Sequence, residues 1–533
     1  MAASSLTEFT MTRSDVLIVG AGPTGLVLAL WLTRLGVKVR IIDSSAAPGT
    51  TSRALAVQAR TLELYRQLDL TGAVLERGHR VPAVNLWVKG ERLAHVPFEA
   101  VGADFTPYPF LHIFPQDEHE RLLIERLQRL GVSVERQTEL LDFRDDGRRV
   151  TARLRTSAGQ STDCPAGYIA GCDGARSRVR EVLGTGYPGG TYRQLFYVAD
   201  IDGVGPTFDG GLHIDLDEAD FLALFPLAGA GRARLIGTVR DERAEHPETL
   251  RFEDVSRRAI ESLKVGVRQV NWFSTYHVHH RVAGSFRRGR ALLLGDAAHI
   301  HSPVGGQGMN TGIGDAINLA WKLATVLAGR APDELLASYE VERAAFARRL
   351  VATTDRVFTF VNADGPIARI VRTRAVPAIF PRVMKLHAVR DLLFRTVSQL
   401  SLNYRDMPLS TGVAGKVHGG DRLPWTGAGE GDNFGSLARI GWQVHVYGDR
   451  QHEGNDALAA WCAQREVPLL TYPWGPSAAS AGLARNALYL LRPDAYVALA
   501  HPAAEPAALE HYFAERGIRP GAAQAAGVSP RRR

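Results

Sequence analysis

Cysteine is scarce in this chain: Cys164, Cys172 and Cys462 are the three among 533 residues. They offer neither a disulfide framework nor a zinc-ligand spacing, so the sequence predicts a reduced, cytoplasmic protein. Long apolar runs are missing as well. The first, residues 16–19, is far too short to span a bilayer and leads straight into glycines, and the opening MAASSLTEFTMTR lacks the apolar stretch of a secretory leader. Charge of one sign is not abundant either. Lys and Arg number 63 against 56 Asp and Glu, a net +7 spread along the chain, and the one compact arginine run is Arg531, Arg532 and Arg533. Neither nucleic acid nor membrane is therefore expected as a partner. Three catalytic signatures are absent too: no G-x-S-x-G elbow, no H-E-x-x-H, and no G-x-x-x-x-G-K-[ST] phosphate loop.

What is present is apolar content, 45% of the residues, enough to bury more than one core. Residues 15–43, DVLIVGAGPTGLVLALWLTRLGVKVRIID, read as strand, glycine turn, apolar helix and second strand. Gly20, Gly22 and Gly25 carry the G-x-G-x-x-G spacing. The first permits the turn, the second lets a pyrophosphate approach the backbone, and the third lets helix pack on strand. Asp43 closes the second strand, about 20 residues on, where a carboxylate can accept from ribose hydroxyls. Context decides this reading. Gly184, Gly186 and Gly189 share the spacing but follow a helix-like polar stretch and enclose Pro188, which predicts an ordinary loop.

The segment LLLGDAAHIHSPVGGQGMN, residues 292–310, admits three readings: a metal site on His299 and His301, a phosphate cradle, or a cofactor loop that opens a helix. A second segment, YIAGCDGARSRVREVLG, repeats the design of an aspartate, here Asp173, at the end of a short apolar strand. Open α/β sheets bind ligands at that edge. His277, His279 and His280 lie nearby in sequence, but no cysteine accompanies them and no metal is expected.

VGAGPTG, CDGARSRVR and GDAAHIHSPVGGQGMN, with SRALAVQARTLEL and FPQDEHERLL in support, occur in this order between about residues 15 and 345. In them the chain resembles the group A flavoprotein aromatic hydroxylases, the para-hydroxybenzoate and phenol hydroxylase family of FAD-dependent monooxygenases. The resemblance implies that Asp43 meets the adenosine ribose, Arg53 the pyrophosphate or flavin, and Gln116 and Asp296 the ribityl chain. Asp173 would face the approach of NADPH or NADH, and Pro303 would turn its carbonyl toward the flavin ring and the reacting hydroxyl. Gly308, Met309 and Asn310 would open a helix whose positive end stabilises the anion of the reduced flavin. Catalytic side chains beyond the flavin, with Pro303 in a positioning role, are not assigned.

The expected fold is α/β: a Rossmann-type FAD-binding domain over residues 13–84, 116–186 and 280–375, with an inserted substrate-binding β-sheet over 85–115 and 187–279. A helical linker would follow at 376–418. Strand and helix patterns from 419 to 533, together with RPDAYVA, resemble the thioredoxin-like C-terminal domain of the larger family members; Cys462 has no C-x-x-C partner there. His213, Phe225 and Tyr276, with Phe221 and Phe273, are candidate substrate contacts, and LNYRDMPLS adds Tyr404. The basic stretch RIVRTRAVPAIFPRVMKLHAVRDLLFRTV is expected to pack as helices on the flavin domain.

The implied activity takes hydride from NADPH or NADH and transfers one atom of O2, through a C4a-hydroperoxyflavin, to a phenolic or polyketide-derived polycyclic ring. A monomer or homodimer is expected. Competing readings are a flavin oxygenase that inactivates an antibiotic or performs Baeyer-Villiger chemistry, a flavin-dependent dehydrogenase, and a redox-silent FAD protein; the W-x-W-x-I-P motif of halogenases is absent.

Overall fold

The computed structural model describes residues 14–50, 54–98, 101–216, 221–239, 249–302, 304–362, 379, 382–384, 386–428, 431–448 and 455–521. Arg53 and Pro303 fall outside these residues. The architecture is mixed α/β, as expected.

Five parallel strands form the heart of the first sheet, in the order Ala291–Leu293, Ser161–Gly171, Ser14–Val19, Val39–Ile42 and Val134–Glu135. Val16, Leu17, Ile18, Ile41 and Ile42 are fully buried, the near-continuous apolar reading that a sheet covered on both faces requires. The helices Pro23–Arg34 and Gly308–Leu327 pack against each other beside it. The carboxyl ends of its strands release the chain at Gly20, Asp43, Cys172 and Leu294, so the turns that carry chemistry gather along one edge.

A second sheet has eight strands: His299–Ile300, Gly266–Val282, Gly189–Val204, Arg232–Val239, Phe221–Pro226, Leu212–Leu216, Ala83–Val88 and Glu91–Pro97, in that spatial order. Side chains alternate across it. Leu195, Tyr197, Leu222, Leu224 and Leu235 pack on one face with Ala259, Ile260 and Leu263 of the Arg257–Ser262 region, while Phe196, Phe221, Ala223, Phe225 and Ile236 look the other way, toward the first sheet's carboxyl edge. The repeated glycine spacing at Gly184, Gly186 and Gly189 forms the loop between the helix Arg178–Leu183 and the strand Gly189–Val204, as its context predicts.

The C-terminal sheet runs Leu469–Tyr472, Gln443–Tyr447, Leu488–Leu491 and Val497–His501. The first two strands are parallel and joined through the helix Asn455–Gln464; Leu488–Leu491 is antiparallel to both of its neighbours, and the helix Pro506–Glu515 follows. This unit shares its core with the first sheet's helices, with Trp321 edge-on to Trp442 at 5.6 Å. Charges are buried at the junction as well: Glu342 accepts from Arg492 at 2.6 Å and from Lys322 at 2.8 Å, and Arg492 also reaches Asp494. Burial alone would raise the Glu342 carboxyl, but Arg492 and then Lys322 outweigh it and hold it at about 2. Among the described residues no helix is long and apolar enough to cross a membrane.

Candidate active site

The three glycines of the first turn do three different jobs. Gly20 sits at φ +102, and a Cβ there would lie 2.3 Å from the carbonyl oxygen of Cys172. A Cβ on Gly25 would lie 2.0 Å from the Gly20 carbonyl oxygen, so both positions exclude a side chain by contact with backbone. Over Gly22 the space is open: a Cβ would meet nothing within 4 Å. That opening stands at the N-terminus of the helix Pro23–Arg34, with proline at its start, and forms part of a cavity wall with Ala21, Gly22 and Thr24. Asp43 lies beside it, accepting from Ala21 N and Ser45 N, both at 2.8 Å, and facing Arg136 at 3.5 Å.

The cofactor loop is built from the other end. Gly305 and Gly306, at φ +77 and +63, turn the chain into the 20-residue helix Gly308–Leu327. Asn310 is saturated: its Oδ1 accepts from Gln58 N and Thr61 Oγ1, and its Nδ2 donates to the carbonyls of Ala56 and Gly306. One turn and a half later Asp315 accepts from Gly295 N at 3.0 Å, His299 Nε2 at 2.7 Å and Arg343 Nε at 2.6 Å. Burial opposes this charge, yet Arg343 and His299 outweigh it and keep the Asp315 carboxyl below its usual range. His301 is buried and neutral, pushed down to about 4 by desolvation, with Nδ1 donating to the Ser302 carbonyl. Its Nε2 and the Ser302 hydroxyl are buried polar atoms with no partner among the described residues.

Between these two ends runs one cavity of about 1310 Å³. Single-ligand pockets occupy roughly 300–1,000 Å³, so this one has room for a dinucleotide and a second ligand together. It begins at the glycine turn, passes Gln116, Asp296, His301 and Met309, and ends beneath the second sheet at Phe221, Phe225, Trp272 and Tyr276. Clear space above Gly22, amide hydrogens at two helix N-termini and unpartnered polar atoms beside the loop fit a flavin dinucleotide laid along it.

The structure brings Gly22, Asp43, Gln116, Asp296, Gly308 and Met309 to the cavity, together with Phe225 and Tyr276. Asp296 presents surface to the cavity while protein encloses it, and this desolvation raises its carboxyl pKa. Asp173 stands just behind the wall made by Cys172 and Gly174. Its Oδ2 caps the helix Arg178–Leu183, accepting from Arg178 N at 2.7 Å and Val179 N at 3.1 Å.

Three expected substrate contacts need correction. His213 faces away from the cavity, because its strand alternates and Leu212 and Ile214 take the inner face; its Nδ1 accepts from Trp87 Nε1 at 2.9 Å and its Nε2 meets Asp209 at 2.8 Å. Tyr404 is buried at the domain junction, where its hydroxyl accepts from Arg343 Nη1 at 2.9 Å and its ring packs on Tyr496. Phe273 likewise belongs to the sheet's outer core. The histidines that suggested a metal go to separate partners, His299 to Asp315, His279 to Thr191 and His280 to the Tyr192 ring.

Sequence reasoning missed Gln58, Trp272 and one helix face, Arg390, Leu393, Phe394 and Val397, all on the cavity wall. The i, i+3, i+4, i+7 spacing of that face was its signal.

A family model described as FAD binding domain matches residues 13–354. The 6-methylpretetramide 4-monooxygenase of Streptomyces rimosus is 38% identical over 77% of this chain and 74% of its own length. Among solved structures, the OxyS anhydrotetracycline hydroxylase from Streptomyces rimosus is 28% identical with a TM-score of 0.73, covering 96% of this chain and 100% of its own. A ternary complex of aklavinone-11 hydroxylase with FAD and aklavinone is 25% identical with a TM-score of 0.73, over 95% of this chain and 99% of that one.

Proposed function

The chain belongs to the family of FAD-dependent aromatic monooxygenases, and on that premise we propose that it hydroxylates a phenolic or polycyclic aromatic ring held in the chamber beneath its second sheet. The observation that carries this reading is the continuity of one cavity from the glycine turn to an aromatic wall. When bound, FAD supplies hydride acceptance from NADPH or NADH and the activation of O2, one atom of which enters the ring while the other leaves as water.

The chain's own groups then have separable tasks. Amides at the N-terminus of Pro23–Arg34, beside Gly22, would hold the pyrophosphate, Asp43 the ribose, and Gln116 and Asp296 the ribityl chain. The N-terminus of Gly308–Leu327 would offer amide hydrogens and positive dipole to the flavin, which gains negative charge on reduction. Arg53 and Pro303 would complete the cradle at the pyrophosphate and the ring. Phe221, Phe225, Trp272 and Tyr276 exclude water and orient the substrate face. In this reading residues 85–115 and 187–279 are the substrate domain and 13–84, 116–186 and 280–375 the flavin domain. Residues 376–418 connect them to a thioredoxin-like unit at 419–533, a reading supported by the strand order and by the one strand antiparallel to its neighbours. The same reading makes the protein a cytoplasmic monomer or homodimer.

Anaerobic reduction of the FAD-loaded protein by NADPH and by NADH, with and without a panel of phenols and polycyclic quinols, tests this. One aromatic class should accelerate reduction sharply. Reduction indifferent to every aromatic, or a protein that takes up no FAD, would overturn the reading.

A further inference from the structure

The helix His387–Val397 turns one face to the cavity, placing Arg390, Leu393, Phe394 and Val397 at i, i+3, i+4 and i+7. Leu393 and Val397 are 44% and 39% exposed although both line the cavity, so apolar surface is available there to a ligand. Phe394 is buried against Val101 and Leu400 and anchors the helix. The helix's last residue is tied to the cofactor loop: Gln307 Nε2 donates to the Val397 carbonyl at 2.6 Å, and Gln399 Nε2 donates to Gln307 Oε1 at 2.7 Å.

Arg390 stands two helical turns before that tie. At 1.5 Å per residue it lies about 10 Å from that tie along the helix axis. Its Nη2 contacts the His387 ring at 2.8 Å, and among the described residues its Nε is buried without a partner and no carboxylate pairs with it. Beside Leu393, Phe394 and Val397, Arg390 is the charged member of the helix face that lines the cavity, and a guanidinium is the donor that planar anions satisfy in a bidentate manner.

We propose that Arg390 selects the substrate, which is a polycyclic aromatic bearing an acidic group, carboxylate or enolate, at the end remote from the hydroxylated ring. A monocyclic phenol at the loop cannot bridge the separation. This assignment rests on the reading of the chamber as the substrate site.

The test uses the FAD-loaded protein as wild type, Arg390→Gln and Arg390→Lys, titrated with a dihydroxyanthraquinone and with its carboxylated counterpart. Perturbation of the flavin's visible spectrum gives each Kd. Wild type should bind the acid roughly 10- to 100-fold tighter than the neutral compound, the range of one charge-assisted contact. Arg390→Gln should lose that preference through the acid alone, its unchanged affinity for the neutral compound showing that the chamber is intact, and Arg390→Lys should keep part of it. Equal binding of both compounds by wild type, or a preference that survives in Arg390→Gln, overturns the role of Arg390 and leaves the chamber reading standing. A flavin spectrum that neither compound moves in wild type overturns both.

Discussion

Gly22→Ala and Gly25→Ala make a matched pair of perturbations that separates cofactor binding from folding. Gly22 has φ −77 and ψ −178, open to any residue, and an added Cβ meets no protein atom within 4 Å. Its effect on the apoprotein should fall between zero and a gain of about 1 kcal/mol, since alanine restricts the unfolded chain more than glycine does. In the proposed reading the methyl group would stand where the pyrophosphate of FAD approaches. Loss of one or two charge-assisted amide contacts, at about 1.5–3 kcal/mol each, weakens FAD by roughly 10- to 20,000-fold. Gly25→Ala is the reverse case. Its Cβ would lie 2.0 Å from the Gly20 carbonyl oxygen, so the helix must shift off its strand at a cost of about 1–3 kcal/mol or more, whether or not FAD is present. Urea unfolding of the two apoproteins, with FAD titration by flavin fluorescence, reads both quantities. Wild-type FAD affinity in Gly22→Ala, or equal destabilisation by the two substitutions, would refute the assignment of the turn.

Replacing His213 by alanine should cost about 1–3 kcal/mol, by stranding Trp87 Nε1, yet leave kcat/KM unchanged; a fall in kcat/KM at full folding would return His213 to the site. Asp315→Ala leaves Arg343 and His299 buried without their carboxylate and should lower stability by about 3–5 kcal/mol in chemical denaturation, whereas a loss under about 1 kcal/mol would argue against the pairing. Stability should also fall as pH drops below 6.5. His112 and His301, held near 4 by burial, and His119 and His445, held near 3, stay neutral in the fold while their unfolded counterparts take up protons, each worth up to about 1.4 kcal/mol per pH unit. Glu342, charged down to about 2, adds its own loss only below about 4.5. A urea midpoint that stays flat between pH 7 and 5 would contradict this.

The cofactor half of the site was legible because its chemistry is local. A glycine turn, an aspartate at a strand end and a helix start lie within a few residues of one another, and short-range geometry fixes what they do. The substrate half depends on which face of a strand looks inward. Leu212 to Asp215 alternate apolar and polar, yet His213 and Asp215 are as completely buried as residues can be, so polarity gave no clue to the inner face. In Phe221–Pro226 the alternation did place Phe221 and Phe225, because aromatic bulk repeats on one side. Tyr404 entered the candidate list through the resemblance of LNYRDMPLS alone, but its partner Arg343 is 61 positions away and only the packed structure joins them. Basic residues masked the apolar stripe of His387–Val397 in the same way.

The helix Gly308–Leu327 shows why so many polar groups are buried around a site whose chemistry belongs to a cofactor. A helix terminus acts on charge only within about one turn, so sliding or rotating it by a fraction of a residue removes the effect. Apolar packing holds a helix in place but is non-directional and tolerates small slips. This helix is instead pinned by directional bonds along its length: Asn310 by four hydrogen bonds, Asp315 by Gly295, His299 and Arg343, and Asn318 and Lys322 by Glu342. Glu342 is held in turn by Arg492 of the C-terminal unit, and Arg343 is bonded to Tyr404. Burying such pairs costs desolvation that an apolar core of the same volume avoids, and it contributes little net stability. What it contributes is a single register. Among the described residues the C-terminal unit lines none of the cavity, yet through Arg492 and Glu342 it is bonded to the helix whose first turn borders it.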